Sequence, residues 1–574
     1  MRTSFVLAVP HGVGGVLPAR HSDLATLCAG EARLWLADDT EVVDLGPHGL
    51  AIGALFARGD AMPCRSVGFD GRTGGGVEGA ARKLLDQYWG AYAAILTSGC
   101  EASIAVLVDP SGLLPVYAYE TASHVLFTPH VRLLARCCDT RPRVDWTELH
   151  SFLCRPDLRQ RATCLEGIYE LRPGSLLAIG AGLRFDKLLW CADAFMPAAD
   201  QRPWPELVDE LRGVAITAIG AWGKRLGPVA VAASGGVDSS FICGALHAGG
   251  VSFACITAAT PDPSGDERAA VRRLASHLGV SYAEGTYDPS RFDAHECASA
   301  ALPRPSRKSF LNGVDRLFSA AAEDLGAAVV FDGNGGDNLF CYLHSAAPIA
   351  DRLRADRSTA GWLTTFLDVC RVTGCDVGTM ARATSRRLRK AGRLPEWPAD
   401  SRLLARPAQL FADTEPLRPW TGISVGPHRG KHDHLALIMR AQNHLHGLSS
   451  PVARFSPLMS QPLLELCLSI PTWSWCAGGL NRSLARHAFA GELPPAIRAR
   501  TAKAGPDSYI RAIFDRNRRS IAQTLLDGVL LGAGLLDRGA VESALTIDAA
   551  SEGSLVYRLL DLAEAELWAR SWRA

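Results

Sequence analysis

Hydrophobic and polar positions divide the chain into two styles. From the start to about residue 190 the apolar runs are short: "YAAILT", "SIAVLVD", "VYAYE" and "HVLFT" alternate with turns rich in Gly, Pro, Asp and Ser. That spacing predicts a β-rich region. The opening "MRTSFVLAVP" reads as its first strand rather than as a secretory signal, which needs a longer apolar stretch and a small-residue cleavage site. Residues 190–205, "WCADAFMPAADQRPWP", mix Pro with acids and predict a linker. From about 205 the period lengthens. "WPELVDELRGVAITAIGAWGKRL" predicts a helix, "PVAVAA" a strand, "SSFICGALHAG" a helix, "FACITAAT" a strand and "DERAAVRRLASHLG" a helix, followed by the strand that opens "AAVVFDGNGGDNLF". Strand and helix in alternation predict a parallel sheet with helices on both faces, so the fold class is α/β. Beyond about 350 the pattern is mostly helical. No internal repeat stands out, and no stretch offers the run of apolar residues that a transmembrane helix requires.

Composition narrows this picture in three ways. A chain of 574 residues exceeds one ordinary core, so two or three domains are expected. The net charge of +1 argues against a whole-chain nucleic-acid binder and against electrostatic membrane docking. The 16 Cys are scattered, none forms C-x-x-C, and several, such as Cys243, Cys255 and Cys467, sit inside apolar runs as small hydrophobes. This usage suits a reducing compartment and predicts a cytoplasmic protein. Seven of the 60 basic residues are Lys, so a Lys at a particular place carries some information.

The candidate chemistry lies in "SGGVDSS", residues 234–240, between two apolar runs. A Gly-rich turn that leads from a strand into a helix presents free N–H groups and the positive end of the helix dipole to an anion. Ser234, Ser239 and Ser240 add hydroxyls, and Gly235 and Gly236 allow close approach. The pattern is not Walker A, which has a Lys for a γ-phosphate. Asp238 inside such a cradle would repel phosphate unless a cation lay between them, which predicts Mg²⁺. Taken alone, the stretch is also a capped Gly-Ser turn. The second loop, "VVFDGNGGDNLF" at 329–340, again ends an apolar strand with glycines and an acid, Asp337. Ligands of open α/β sheets bind at the carboxyl ends of strands. Two such loops are expected to flank one pyrophosphate–Mg²⁺ group.

These motifs resemble the pyrophosphate-loop signature of ATP pyrophosphatases. The chain as a whole resembles the class B asparagine synthetase superfamily, which includes the β-lactam synthetases and the lasso-peptide macrolactam synthetases. "GAYAAIL", "VDPSGLLPVYAY", "HVLFTPHVRLL" and "TCLEGIYELRPGSLLAI" look like that family's glutaminase-type front domain, while "PVARFSPLMSQPLLELCLSIP" and "NRSLARHAFAGELPPAIRARTAKAGPD" resemble its helical back region and closing Lys segment. The resemblance implies a glutamine-amidotransferase-like, Ntn-type β sandwich over 1–195 and an ATP-pyrophosphatase domain with a helical end over 205–574. It departs from the family at two points. Position 2 is Arg where a working glutaminase carries Cys, so the front domain is expected to be degenerate. Asn334 stands three residues before Asp337, where asparagine synthetases carry an acid and β-lactam synthetases Tyr. Asn cannot act as a base, so that role is absent or passes to another group such as Asp332. The branch most resembled is the lasso-peptide one.

The resemblance implies ATP and Mg²⁺ as cofactors and adenylation of a carboxylate, followed by attack of an amine. In the lasso branch the carboxylate is an Asp or Glu side chain of a precursor peptide and the amine is its new N-terminus. Residue by residue, Ser234, Gly235, Gly236, Asp238, Ser239 and Ser240 would hold pyrophosphate and metal, with Gly333 and Gly335 from the second loop; Asp238 and Asp337 would be the metal acids. Lys503 would stabilise charge on the acyl-adenylate, with Asp332 and Asn334 beside it. Arg482 would bind phosphate, and Thr257 with Ala258 would line an adenine pocket. The implied partners are the precursor peptide, a leader-binding protein, a maturation protease and an export transporter, with no nucleic acid. An ammonia-dependent asparagine synthetase or a β-lactam-synthetase-like ligase is the alternative, and an inactive docking scaffold the reading from another class. Other features point to structure. Asp266 and Glu267 are expected to cap a helix. His432, His434, His444 and His446 are expected on a helix surface rather than around a metal, although His444 or His446 would border the substrate pocket by resemblance. The basic run 382–393 is expected to be a solvated face, or a grip for an acidic leader.

Overall fold

The computed structural model describes residues 3–10, 25–29, 32–68, 76–98, 101–137, 142–180, 183–196, 202–260, 262–307, 311–355, 359–389, 397–406, 429–443, 445, 452–501, 505–546 and 553–573. The front strands are β1 (Phe5–Pro10), β2 (Ala25–Ala29), β3 (Ala32–Leu36), β4 (Val42–Asp44), β5 (Gly49–Ala57), β6 (Tyr88–Ser98), β7 (Glu101–Val108), β8 (Tyr117–Glu120), β9 (His124–Thr128), β10 (Ile168–Glu170), β11 (Ser175–Gly180) and β12 (Leu183–Leu188). They form two six-stranded sheets in the orders β10-β8-β9-β1-β3-β2 and β12-β11-β7-β6-β5-β4, and their pairings are antiparallel. Strand β1 shows why its sequence is a continuous apolar run. Phe5, Leu7 and Val9 join one hydrophobic cluster with β5, β6 and β7, while Ala8 on the opposite face joins a second with Leu149 and Leu153 of helix Trp146–Cys154. A strand covered on both sides has no polar face to alternate with.

The back sheet consists of β13 (Val229–Ala232), β14 (Phe253–Ala259), β15 (Tyr282–Thr286), β16 (Val329–Phe331) and β17 (Ala453–Phe455), in the order β15-β14-β13-β16-β17 and parallel throughout. Its inner strands also split their residues between the two clusters: Val229, Val231, Val329 and Phe331 face one, Ala230 and Val330 the other. Helices Val237–Ala248 and Arg268–Leu278 follow β13 and β14, as the alternating pattern predicted. The apolar side of the second is terminated by Gly279 in the left-handed conformation.

The structure corrects the expectations in several places. The back region is mostly helical beyond 350, as expected, but the short strand β17, whose three residues are too few to show a period, completes the sheet. The first half of the expected linker is packed. Trp190 stacks on Phe195 with centroids 5.4 Å apart and donates its indole N–H to Glu465 Oε1 at 2.9 Å. The histidines are not a surface feature. His434, on helix Arg429–Gln442, is fully buried, its Nε2 lies 2.8 Å from Leu339 O, and burial pulls its pKa down to about 4; His444 and His446 lie outside the described residues. Within the basic run, Arg382, Arg386 and Arg389 are exposed on helix Val377–Arg389 while Arg387 pairs with Asp433, and 390–393 lie outside the described residues. Cys243, Cys255 and Cys467 are buried, as expected of small hydrophobes.

Front and back halves meet through aromatic rings. Phe56 of β5 stacks on Trp89 of β6 at 4.7 Å, and both meet Trp222 edge-on, at 5.0 and 5.8 Å. Trp222, on helix Trp204–Leu226, lies 4.6 Å from Phe455 of β17. Such pairs add about 1 kcal/mol each beyond burial. They tie the front sheet to the strand that ends at the candidate site. Among the described residues, no helix is long and apolar enough to cross a membrane.

Candidate nucleotide site

The first loop closes on itself. β13 ends at Ala232 and the next helix begins at Val237, with Gly236 as its cap. Gly235 has φ +64°, and a Cβ there would lie 2.5 Å from Ala270 Cβ, so both conformation and space call for glycine. Ser234 N donates to Ser239 Oγ at 3.1 Å, Gly236 N donates to Ser234 Oγ at 3.2 Å, and the two hydroxyl oxygens lie 3.3 Å apart. Arg500 clamps the turn from outside, donating Nη1 to Ser234 O at 2.8 Å and Nη2 to Glu267 Oε1 at 3.1 Å. Glu267 takes the N-cap position of helix Arg268–Leu278 as expected, but its carboxylate pairs with Arg500 instead of making a capping bond. Asp266 accepts the Arg268 N–H at 3.0 Å, the local cap predicted for it.

The second loop packs against the first. Gly335 has φ +80° and opens the short helix Gly336–Leu339. A Cβ on Gly336 would sit 2.3 Å from Asp238 Cγ, and one on Gly333 3.1 Å from Ser239 N. The glycines of this loop thus permit close approach of the two strand ends. Asp238 and Asp337 converge on one guanidinium: Arg482 Nη1 donates to Asp238 Oδ1 and Oδ2 at 3.0 and 3.1 Å and to Asp337 Oδ1. Arg482 is buried, takes the left-handed conformation at φ +54° just before helix Ser483–Ala488, and lies 5.1 Å from the Tyr342 ring centre. A non-glycine residue in that region costs on the order of 1 kcal/mol or more, sustained here by its bonds to both loops. Arg486 underpins it, donating to the carbonyls of Asn481, Arg498 and Arg500 at 2.7, 2.5 and 2.9 Å. Burial, with the neighbouring charge of Arg482 adding to it, lowers its pKa to about 10.

A cavity of about 210 Å³ lies between the loops, bounded by Ser234, Gly236, Asp238, Ser239, Gly333, Arg482, Arg500 and Thr501. The structure brings Asp238, Asp337 and Arg482 together. Ser240 is buried behind the loop, its hydroxyl without a partner among the described residues, and Thr257 is buried in β14; neither lines this cavity. Lys503 lies outside the described residues. Arg500 and Arg486 escaped sequence reasoning because one Arg among so many carries little signal. Among the described residues, no three His, Cys, Asp or Glu side chains converge.

The second loop has another face. Asp332 and Asn334 border a larger cavity of about 580 Å³, whose other walls come from Leu113 and Tyr117 of the front half and Arg304, Arg454 and Ser456 of the back. Arg304 and Arg159 share buried Glu170 at 2.8 Å each, and Arg454 pairs with Asp315 at 2.6 Å. Asp332 Oδ1 accepts from Ser456 Oγ at 2.7 Å and from Asn334 N at 3.1 Å.

The model of the asparagine synthase family matches residues 224–570, which hold both loops, Arg482 and Arg500. The chain is also similar to "Amidase chry2" of Gibberella zeae, 32% identical over 232 residues; the match covers 34% of this chain and 34% of that protein, so the chain spans about a third of this curated relative. Among solved structures, glutamine phosphoribosylpyrophosphate amidotransferase from B. subtilis, complexed with ADP and GMP, is matched over 68% of this chain and 86% of that one, at 11% identity and a TM-score of 0.19, a likeness too slight to bear on fold or function.

Proposed function

The chain belongs to the asparagine synthase family, whose shared chemistry is ATP-dependent amide-bond formation, and we propose that it closes a macrolactam ring in a ribosomal lasso-peptide precursor. One observation carries the reading of the site: two strand-end loops place Asp238 and Asp337 on a single guanidinium at the edge of one cavity. ATP would lie there, its pyrophosphate beside Gly235 and Gly236, against the N-terminus of helix Val237–Ala248 and the hydroxyls of Ser234 and Ser239, with Arg482 as a cationic partner. The two carboxylates are hard oxygen donors of the kind that hold Mg²⁺, and the ion would take them in place of the Arg482 guanidinium that bridges them in this structure. That ion would supply neutralisation of the departing pyrophosphate. Lys503 is proposed to steady charge on the acyl-adenylate.

In this reading an Asp or Glu side chain of the peptide attacks the α-phosphorus, giving acyl-AMP and pyrophosphate. The peptide's N-terminal amine then displaces AMP. The peptide branch is supported by Asn334 in place of an acid and by the 580 Å³ cavity beside the second loop, which far exceeds the needs of aspartate and ammonia. A leader-binding protein, a maturation protease and an export transporter are the proposed partners, in the cytoplasm. The test is mass spectrometry of a short peptide encoded beside the gene, co-expressed with its protease and this protein. A core peptide lighter by one water with wild type, and not with Asp337→Ala, is the expected result. A peptide that is cleaved but never loses water overturns the peptide branch; AMP release from aspartate and ammonium alone then establishes the asparagine-synthetase alternative.

A further inference from the structure

The loop after β16 is a partition. Gly333 faces the smaller cavity, where the nucleotide is proposed to lie, whereas Asp332 and Asn334 face the larger one. An acyl phosphate formed on one side can be reached by a nucleophile from the other. Strands β16 and β17 run parallel with Phe331 opposite Phe455, so Asp332 and Ser456 emerge side by side at the carboxyl ends. Asp332 N donates to Phe455 O at 3.0 Å. Ser456 Oγ at 2.7 Å and Asn334 N at 3.1 Å both donate to Oδ1. Two donors on one oxygen fix the carboxylate. Among the described residues, Oδ2 receives no hydrogen bond.

The larger cavity has room for about twenty waters at ~30 Å³ each, at 580 Å³. Its lining carries four guanidinium groups, each in an ion pair: Arg159 and Arg304 with Glu170, Arg307 with Asp157 and Asp561, and Arg454 with Asp315. From this geometry we infer that the larger cavity seats the nucleophile of the amide-forming step, a primary amine carried on a peptide-sized molecule, and that Asp332 Oδ2 takes its proton. This rests on the ligase reading above. The amine lone pair forms the C–N bond while the carbonyl π pair moves to oxygen. The proton on nitrogen passes to Oδ2. The oxygen pair then re-forms the carbonyl, the bond from carbon to the phosphate oxygen breaks, and AMP leaves with that pair. Asp332 later returns its proton to water. Ser456 is a positioning residue, acting through Asp332.

The experiment measures pyrophosphate release and amide formation separately, with the co-encoded peptide and, in parallel, with aspartate plus ammonium. Asp332→Asn is expected to slow amide formation at least about a hundredfold, the usual worth of a general base, and pyrophosphate release far less. Hydroxylamine, largely unprotonated at neutral pH, is expected to restore turnover in this variant as hydroxamate. Ser456→Ala is expected to slow the amide step about tenfold, with Ser456→Thr recovering it. Leu113→Trp, which fills the cavity from the front half, is expected to raise the KM of the peptide about tenfold. Amide formation by Asp332→Asn near the wild-type rate, no hydroxamate from it, or an unaltered KM in Leu113→Trp overturns the inference while the ligase reading stands. Wild type that releases no pyrophosphate with either substrate set overturns both.

Discussion

The loops that follow β13 and β16 have similar ingredients at the end of a buried strand, glycines with one acid in the first and with two, Asp332 and Asp337, in the second, yet the structure uses them differently. The first satisfies its own polar groups: Ser234, Gly236 and Ser239 bond to one another, and Arg500 holds the turn from behind. It lines the smaller cavity. The second spends its glycines on close approach to other elements. Gly336 lies against Asp238, and a Cβ on Gly335 would meet Met459 Cε at 2.5 Å and Ala441 Cβ at 3.0 Å. It faces two cavities. A self-contained loop can be read as an anion cradle from its own residues, whereas a partition acquires its role from what lies on each side.

The sharpest way to break this comparison is Gly336→Ala. The new methyl would overlap Asp238, so the loops must separate. ATP affinity is expected to fall at least about a hundredfold, ~3 kcal/mol, by calorimetric titration. Affinity within a few-fold of wild type would mean that the loops need not touch. Arg500→Met tests the first loop alone. It removes the donor to Ser234 O and the partner of Glu267 without entering the second loop, and ATP should bind about tenfold more weakly, ~1.4 kcal/mol, with the peptide's KM unchanged.

The smallest effect separates the loops by pH. Asp109, in the front half, is buried, and desolvation pushes its pKa up to about 7 despite donation from Ser111 and Gly112 to Oδ1. Ser111 O accepts from Gln442 Nε2 at 2.9 Å, next to the Ala441 that abuts Gly335. This chain of contacts reaches the second loop. A carboxyl with a folded pKa near 7 and an unfolded one near 4 binds more protons when folded, so stability falls as pH rises through that interval, by at most about 1.4 kcal/mol per pH unit. Thermal denaturation should therefore give a lower midpoint at pH 8 than at pH 6, Asp109→Asn should reduce that difference, and ATP affinity should change little over the same range.

Much of the back half was legible because its pattern is strong. The apolar runs that became β13, β14 and β16 end in glycine turns, and period-3.6 segments follow the first two. The short strand β17 was not legible, since three residues carry no period, yet it positions Ser456, the residue that follows it. The packed residues 190–196 were misread because Pro and acids signal a linker whether or not a Trp and a Phe find partners. His434 was misplaced for a similar reason: a lone histidine shows its surroundings only when the helix it sits on has been packed.

By itself the sequence determined the two cradle loops, the α/β alternation and the carboxylates Asp238 and Asp337, because glycine conformation and strand-to-helix turns are local physics within a few residues. Only the tertiary structure decided that Arg482 joins those carboxylates from 145 and 244 positions away, that Arg500 clamps Ser234, and that Asp332 turns toward a second cavity walled in part by the front half. Those contacts depend on which distant elements are brought together in one core, and residue order alone does not encode that in any short window.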